Sequence, residues 1–197
     1  MDIESYKAIA KWAPELDGVF TLPDLRVALN QNAEPTLYRA VAALVAESVL
    51  IKVKRGIYAT PEASLATISS RIDPLAYIST GTVLADKAVI GSIPARRVQA
   101  VKVGRPRVFR CELGTIEHLS VDPRLYFGFT AVSAMRVAVP EKAFLDVCYF
   151  NYRGRFFSFD PVSDVNLERL DFDVVERFLE AYDPRFVTFF KRHWRRP

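Results

Sequence analysis

The chain has 197 residues, of which half are hydrophobic and 25% are charged. This composition predicts a packed core and argues against a disordered chain. No apolar run reaches the roughly 18 residues of a membrane-spanning helix. The first residues lack the basic start and apolar stretch of a secretion signal, so we expect a cytoplasmic protein that binds no membrane. Cys111 and Cys148 match no metal-ligand spacing and are expected to be reduced thiols rather than a disulfide.

Positive charge is concentrated in two short segments. Residues 1–62 carry seven basic and eight acidic residues, a net charge of −1. Residues 96–110 carry six basic residues and no acid, and residues 185–197 carry five basic residues and no acid. Basic clusters attract phosphate, although each of these two is equally compatible with an ordinary solvated surface.

Three helices are predicted at the N-terminus. The first covers residues 3–13, with Ile3, Tyr6 and Ile9 at helical spacing. The second follows Thr21, a favourable N-cap before Leu-Pro-Asp. The third runs from about residue 34 to 48, with an apolar stripe at helical spacing formed by Leu37, Ala40, Val41, Leu44 and Val45.

The opposite face of the third helix suits close approach to a nucleic-acid groove. It carries small residues, together with Thr36, Tyr38 and Arg39 near the N-terminal end. In helix-turn-helix proteins this end of the recognition helix meets the base edges, where an arginine pairs with guanine. The alternative is a plain three-helix bundle with an ordinary surface.

A short basic hairpin is predicted directly after the third helix. Residues 49–59 alternate apolar and basic side chains around a turn at Arg55-Gly56. Such a hairpin is typical of the wing of a winged helix, in which Lys52, Lys54 and Arg55 would contact the phosphate backbone. The sequence therefore predicts a winged helix-turn-helix domain over residues 1–61. The net charge of −1 over residues 1–62 indicates that other parts of the chain, or a homodimer, add affinity for DNA.

Residues 62–197 are predicted to form a second, α/β domain. We expect a strand at 76–79, a helix at 82–89 capped by Ser79 or Thr80, strands at 115–121, 126–129 and 135–139, and three closing helices. The first closing helix begins at Pro140 and carries Lys142 and Asp146 at i,i+4. The predicted class is α+β: an N-terminal winged helix-turn-helix, then a mixed α/β domain with a largely antiparallel sheet and closing helices.

Residues 98–103 and 108–113 are predicted to pair as a hairpin with a charged tip at Gly104–Arg107. The tip could enter a minor groove, or it could simply keep an edge hairpin soluble. The basic side chains around it are the second set of candidate phosphate contacts: Arg96, Arg97, Lys102, Arg105, Arg107 and Arg110.

Catalysis has little support in the sequence. The two histidines, His118 and His193, lie in no motif with a nucleophile or metal ligands. Ser79–Thr82 superficially resembles a phosphate cradle, but helix capping explains it better. We predict no catalytic residue, metal or cofactor, and keep an enzyme acting on nucleic acid as a minor alternative.

Four stretches together resemble the AbiEi-type antitoxins, which regulate type IV (abortive infection) toxin–antitoxin systems. They are RGIYATP at 55–61, AYISTGTVLADKAVIG at 76–91, the basic segment 96–110 and VAVPEKAFLDVCYF at 137–150. The last is the most telling. The resemblance covers most of residues 5–150, and no family motif is matched after Tyr152.

The resemblance implies a fold and two functions. The N-terminal winged helix would bind and repress the promoter of its own operon, usually at inverted repeats in double-stranded DNA. The C-terminal domain would counter a toxin with a nucleotidyltransferase-like fold. No catalytic residues carry over. The alternatives are a protein-interaction module, or a stand-alone winged-helix regulator that neutralises no toxin.

Overall fold

A computed structural model describes residues 3–196 as a mixed α+β protein with eight α-helices and two β-sheets in that range. The first six elements form an N-terminal unit of three helices and a three-stranded sheet. They are α1 (Ile3–Trp12), β1 (Val19–Thr21), α2 (Leu22–Ala28), α3 (Glu34–Ala46), β2 (Ile51–Lys54) and β3 (Ile57–Ala59).

The helices of this unit begin and pack largely as their sequences predict. Thr21 caps α2: its hydroxyl accepts the Asp24 N–H, and the Asp24 carboxylate accepts the Thr21 N–H at 2.8 Å, which completes a capping box. The stripe of α3 faces the core, with Leu37, Val41 and Leu44 buried. In α1 the predicted stripe is wrong in part, since Ile9 is buried but Ile3 and Tyr6 are largely exposed.

The three-stranded sheet has the order β1-β3-β2, with both pairs antiparallel. The hairpin of β2 and β3 is confirmed: Val53 is buried, Lys52 is exposed, and Gly56 turns the chain with a φ of +79°. Strand β1 was not predicted. It has only three residues, and its pairing with β3 joins Val19 to Ala59, a partner 40 positions away.

The second unit places a six-stranded sheet between helices. Its elements are α4 (Leu65–Ile72), β4 (Tyr77–Ile78), α5 (Thr80–Asp86), β5 (Arg97–Val103), β6 (Arg107–Cys111), β7 (Gly114–Val121), β8 (Phe129–Val132), β9 (Met135–Ala138), α6 (Pro140–Tyr152), α7 (Phe172–Leu179) and α8 (Pro184–His193). Helices α4 and α6 cover opposite faces of the sheet. Tyr77 is aligned through Val101 with Leu119, so Tyr77 and Leu119 lie on one face, and His118, the neighbour of Leu119, lies on the other. His118 hydrogen-bonds to α4, and Tyr77 hydrogen-bonds to α6.

The strand order corrects two predictions. The order is β6-β7-β5-β4-β9-β8, so β5 and β6 do not form a hairpin, and β7 lies between them. Strand β6 instead turns back into β7, and β5 pairs in parallel with β7. The sheet is mixed, with three antiparallel and two parallel pairs, rather than largely antiparallel. The short turn after Cys111 allows the β6–β7 hairpin, so Gly104–Pro106 becomes a crossover past the end of β7.

Two local predictions in the second unit are also wrong. The strand expected at 126–129 begins only at Phe129, because a 3₁₀ turn, Pro123–Leu125, capped by Asp122, occupies the chain before it. The helix expected at 82–89 runs from Thr80 to Asp86. Ser79 and Thr80 do not cap that helix with their side chains, since Ser79 donates to Asp146 and Thr80 donates to Gln99.

A shared apolar cluster joins the two units. One core lies within the second unit and another lies between the first three helices and the small sheet. A third contains Val53 and Ile57 of the hairpin together with Ile68 of α4 and Ile116 of β7. Both cysteines are free thiols, as predicted. None of the helices between residues 3 and 196 has the length and hydrophobicity to cross a membrane.

Candidate nucleic-acid interface

The N-terminal end of α3 is open to solvent. Tyr38 and Arg39 are exposed, and Thr36 is partly exposed. The Arg39 Nε–H donates to the carbonyl of Pro35 at 3.3 Å, which holds the guanidinium near the first turn. Ala33, at the N-cap position, offers no side-chain cap, so the first amide groups of α3 are available to an outside acceptor.

The hairpin continues this surface. Lys52 lies opposite Tyr58 in the strand register, so the two side chains share the face of the sheet that packs on the helices. Tyr58 is near Tyr38: burial, and next the proximity of Tyr38, raise the pKa of the Tyr58 phenol. Tyr38 of α3 and Lys52 of the hairpin therefore both adjoin Tyr58 and belong to one side of the unit. Arg55 is exposed at the turn, and Lys54 donates to its carbonyl at 3.3 Å.

The other face of the hairpin brings part of the second basic set alongside. Val53 and Ile57 pack with Phe109 and Ile116 in the shared cluster, and β2 lies beside β6. Arg107 and Arg110 are exposed on the edge strand β6, and Arg105 is exposed on the crossover before it. Because side chains alternate along a strand, Arg107 shares the face of Phe109, and Arg110 lies on the opposite face. None of these three arginines forms an ion pair with another residue in the range 3–196.

The other predicted phosphate contacts are engaged within the protein. Lys102 is half-buried and forms an ion pair with Asp73. Burial acts to raise the pKa of Asp73, but the hydrogen bonds from Lys102 and the Leu75 N–H outweigh it and lower the pKa. Arg97 pairs with Glu117 at 3.7 Å, and Arg96 donates to the carbonyl of Leu113 at 3.1 Å, although both side chains remain exposed. The prediction treated residues 96–110 as one basic surface, but β5 is an interior strand, so its side chains meet partners on both sides.

A polar network beneath this region was missed by the sequence analysis. Glu117 accepts hydrogen bonds from Gln99 at 2.9 Å and from Arg155 at 2.8 Å. Burial favours the neutral acid, but these two donors and Arg97 outweigh it and lower the pKa of Glu117. Gln99 also accepts from Thr80 at 2.7 Å. No sequence signal pairs Glu117 with Arg155, because the contact depends on how the loop after α6 returns to β7.

A second buried network lies between β4 and α6. Asp146 accepts hydrogen bonds from Lys142, from Ser79 at 2.7 Å and from Tyr77 at 3.0 Å. Lys142 also donates to Tyr182 at 3.1 Å. The i,i+4 spacing predicted the Lys142–Asp146 pair, but not that its side chains are 0% and 1% exposed. Burial and the Asp146 charge raise the pKa of both tyrosines.

The phosphate-cradle hypothesis at Ser79–Thr82 is contradicted by burial. Ser79 and Thr80 are fully buried, and their hydroxyls are used inside the protein. Gly81 is covered by Phe159, whose ring would lie 3.0 Å from a Cβ at that position. His118 is also buried, where its Nε2 is 2.9 Å from the Ser69 hydroxyl. Burial, opposed by Asp73 and aided by Lys102, lowers the pKa of His118.

Three exposed segments are therefore the parts of the molecule suited to a charged partner: the start of α3, the hairpin turn and the edge strand β6. The start of α3 and Lys52 lie on the helix side of the small sheet, and β6 lies beside its other side. We call the three together the basic segments. Their cations and their tyrosine can donate to phosphate oxygens and to base edges. The sequence matches no model of a known protein family, and it matches no curated protein sequence.

Proposed function

We propose that this chain is a DNA-binding transcriptional regulator whose N-terminal unit is a winged helix-turn-helix. The order of helix, strand, two helices and a hairpin supports this, as does the sheet order β1-β3-β2. The single observation that carries the proposal is the exposure of the basic segments on neighbouring elements. The exposed start of α3 and the basic hairpin adjoin Tyr58, and β6 beside the hairpin carries two arginines without an ion pair in the range 3–196.

In this proposal α3 enters the major groove by its N-terminal turn. Arg39 is the candidate for bidentate contact with a guanine, and Thr36 and Tyr38 are placed to contact a base or a phosphate. Lys52 and Arg55 of the hairpin contact the backbone and carry no sequence information. Base discrimination is therefore expected to depend on α3, whereas most of the electrostatic affinity comes from elsewhere.

The edge strand β6 supplies the charge that the N-terminal unit lacks. Arg107 and Arg110 add two free guanidinium groups to Lys52, Lys54 and Arg55. If each of these five groups neutralises one phosphate, the logarithm of the binding constant falls with the logarithm of salt concentration with a slope of about −4.5. A winged helix without β6 would have a slope of about −2.7.

The test is fluorescence anisotropy with the duplex upstream of the chain's own reading frame, measured over a range of salt concentrations. Arg110→Ala is expected to reduce the steepness of this salt dependence by about one and to weaken binding to all DNA sequences equally. Arg39→Ala is expected to cost about 1–3 kcal/mol on the preferred sequence and much less on a scrambled duplex. Arg169→Ala, an exposed arginine of another turn, is the control and should change neither quantity.

Two results would contradict DNA binding by the basic segments. One is the absence of binding at low salt. The other is binding that Arg39→Ala, Lys52→Ala and Arg110→Ala together leave unchanged. Repression itself is tested with a reporter gene behind the same upstream region, in which Arg39→Ala should restore expression.

The antitoxin function is the second part of the proposal, and the resemblance to AbiEi-type antitoxins motivates it. One structural observation favours a protein partner. Phe156 is 90% exposed on the loop after α6, beside Arg155, which is held to Glu117 at 2.8 Å. Exposed aromatic residues beside arginine are typical anchors of protein interfaces. The partner proposed from the resemblance is a nucleotidyltransferase-like toxin.

Co-expression with a neighbouring nucleotidyltransferase-like gene tests this second part. Phe156→Ala should weaken co-purification and rescue of growth, and should leave DNA binding unchanged. Phe157→Ala is not an equivalent control, because Phe157 is partly buried against the core. Val162→Ala, at another exposed apolar residue, is the better match. Stable co-purification without any DNA binding would instead favour a protein-interaction module.

A further inference from the structure

A cleft of about 290 Å³ lies where the two units meet. Its base is α4, and one wall is the 3₁₀ turn Pro14–Leu16 with Asp17 after it. The other wall is the turn between β8 and β9, where Met135 lies. The volume is close to the lower end, roughly 300 Å³, of the range for small-molecule pockets. The cleft belongs to neither of the surfaces described above.

Two buried polar atoms of α4 at this cleft have no hydrogen-bond partner among residues 3–196. Ser70 lines it and is only 6% exposed, and its hydroxyl makes no hydrogen bond to any residue in the range 3–196. The Nε–H of Arg71, which also lines the cleft, is buried and has no acceptor in the same part of the chain. Buried donors are normally satisfied, and the third exception between residues 3 and 196, the Nε–H of Arg155, lies outside this cleft. Ser70 and Arg71 are adjacent and line the same cleft, which points to an acceptor supplied from outside.

The remaining lining of the cleft restricts what that acceptor can belong to. Glu15 and Asp17 stand at the opposite wall, and both are exposed. They repel a simple anion and attract an ammonium group. Arg71 is already paired with Asp24 at 3.0 Å, so its positive charge is largely compensated, and its Nε–H acts mainly as a hydrogen-bond donor. Leu16 and Met135 add a small apolar surface.

We propose that the cleft binds a free α-amino acid. Its carboxylate accepts hydrogen bonds from the Ser70 hydroxyl and the Arg71 Nε–H. Its ammonium group lies toward Glu15 and Asp17, and its side chain contacts Leu16 and Met135. A zwitterion is the ligand class that satisfies both the unpaired donors and the two facing carboxylates.

The cleft is coupled to the helix that precedes the proposed recognition helix. The Arg71 Nη2 donates to Asp24 and, at 3.5 Å, to the carbonyl of Val19. Asp24 completes the capping box that begins α2. A ligand that reorients the Arg71 guanidinium therefore changes a contact at the start of α2. This step rests on the proposed function, so the amino acid is expected to change DNA affinity as well as to bind.

Isothermal titration calorimetry of the full chain tests binding without DNA, using each of the proteinogenic amino acids at millimolar concentration. We expect at least one to bind saturably with one site per chain. Ser70→Ala should weaken binding of that amino acid about tenfold. Because the Ser70 hydroxyl is unpartnered, this variant should leave the unfolding midpoint of the free protein unchanged or slightly raised.

Two further variants separate the halves of the ligand. Arg71→Lys keeps a cation for Asp24 but removes the Nε–H, and should weaken binding by a similar factor. The double variant Glu15→Gln with Asp17→Asn should weaken binding of the amino acid more than binding of the same carboxylic acid without its amino group. Glu112→Gln, in the exposed β6–β7 turn, is the matched control and should change nothing.

Three outcomes would overturn the proposal: no amino acid binds, Ser70→Ala leaves its affinity unchanged, or acetate and ethylamine alone bind as tightly as the amino acid. DNA affinity is then measured with and without the ligand. Calorimetric binding with no effect on DNA would sustain the site and refute its coupling to α2. Absence of DNA binding altogether would refute the proposed function but not the site.

Discussion

Replacement of Lys142 by methionine should destabilise the second unit severely. The Lys142 ammonium and the Asp146 carboxylate are 0% and 1% exposed, so neither charge is compensated by solvent. Lys142→Met removes the one cation among the three donors of Asp146 and leaves only the Ser79 and Tyr77 hydroxyls. Breaking a buried ion pair from one side costs about 3–5 kcal/mol, because the other charge stays buried.

The loss of a partner for Tyr182 adds to this cost, since its hydroxyl accepts from Lys142 at 3.1 Å. We therefore expect a loss of about 4 kcal/mol, to be compared with a total stability of roughly 5–15 kcal/mol for a typical protein. The double variant Lys142→Met with Asp146→Leu leaves no charge buried. It should lose less, about 3 kcal/mol, from the three orphaned hydroxyls of Ser79, Tyr77 and Tyr182.

The measurement is urea unfolding followed by circular dichroism for the parent, both single variants and the double variant. Lys7→Met is the control, because Lys7 forms an exposed ion pair with Glu4 at 3.9 Å, and its removal should cost less than about 0.5 kcal/mol. The reasoning is refuted if Lys142→Met costs under about 1 kcal/mol, or if the double variant loses the sum of the two single losses.

Three smaller predictions concern stability in other parts of the fold. Because the pKa of His118 is lowered in the folded protein, the unfolded state takes up this proton first as pH falls, and stability should drop below about pH 6.5. His118→Gln should flatten this part of the plot of urea midpoint against pH. An equal slope in both proteins would refute the prediction. Thr21→Ala should cost about 1 kcal/mol through loss of the capping box, and Thr21→Ser should recover most of it in the same assay. Gly114→Ala should cost more than about 1 kcal/mol, because its φ is +151° and a Cβ would lie 2.3 Å from the Arg96 carbonyl oxygen. Gly104→Ala, where a Cβ would meet nothing within 4 Å, should lower the thermal midpoint less, and equal losses would contradict the steric argument.

Features that depend on neighbouring residues could be predicted from the sequence. Thr21 begins α2, because its side-chain oxygen accepts the amide hydrogen of Asp24, three residues ahead. The stripe of α3 and the alternation of the β2–β3 hairpin are also local, because the helix and strand periods sort apolar from polar residues. These patterns were enough to indicate Arg39 and Lys52 as exposed candidates.

The pairing of strands that are distant in the chain could not be predicted from local sequence patterns. The turn before β6 looked like a hairpin, yet β6 pairs with β7 and leaves β5 in the interior. That one difference decides which basic residues are free. Lys102 of β5 meets Asp73 from the loop after α4, while Arg110 on the edge strand meets no acid in the range 3–196. A count of charges in the sequence treats the two residues alike.

The sequence by itself determined the three N-terminal helices, the Thr21 cap of α2 and the alternating basic hairpin, because these depend on interactions within a few residues. Only the tertiary structure decided that Lys142 and Asp146 are buried, that β6 lies beside the hairpin, and that α4 leaves Ser70 unpaired in a cleft. Each of those depends on which surfaces meet after folding. The same meeting of surfaces places β6, which carries Arg107 and Arg110, beside the covered side of the hairpin.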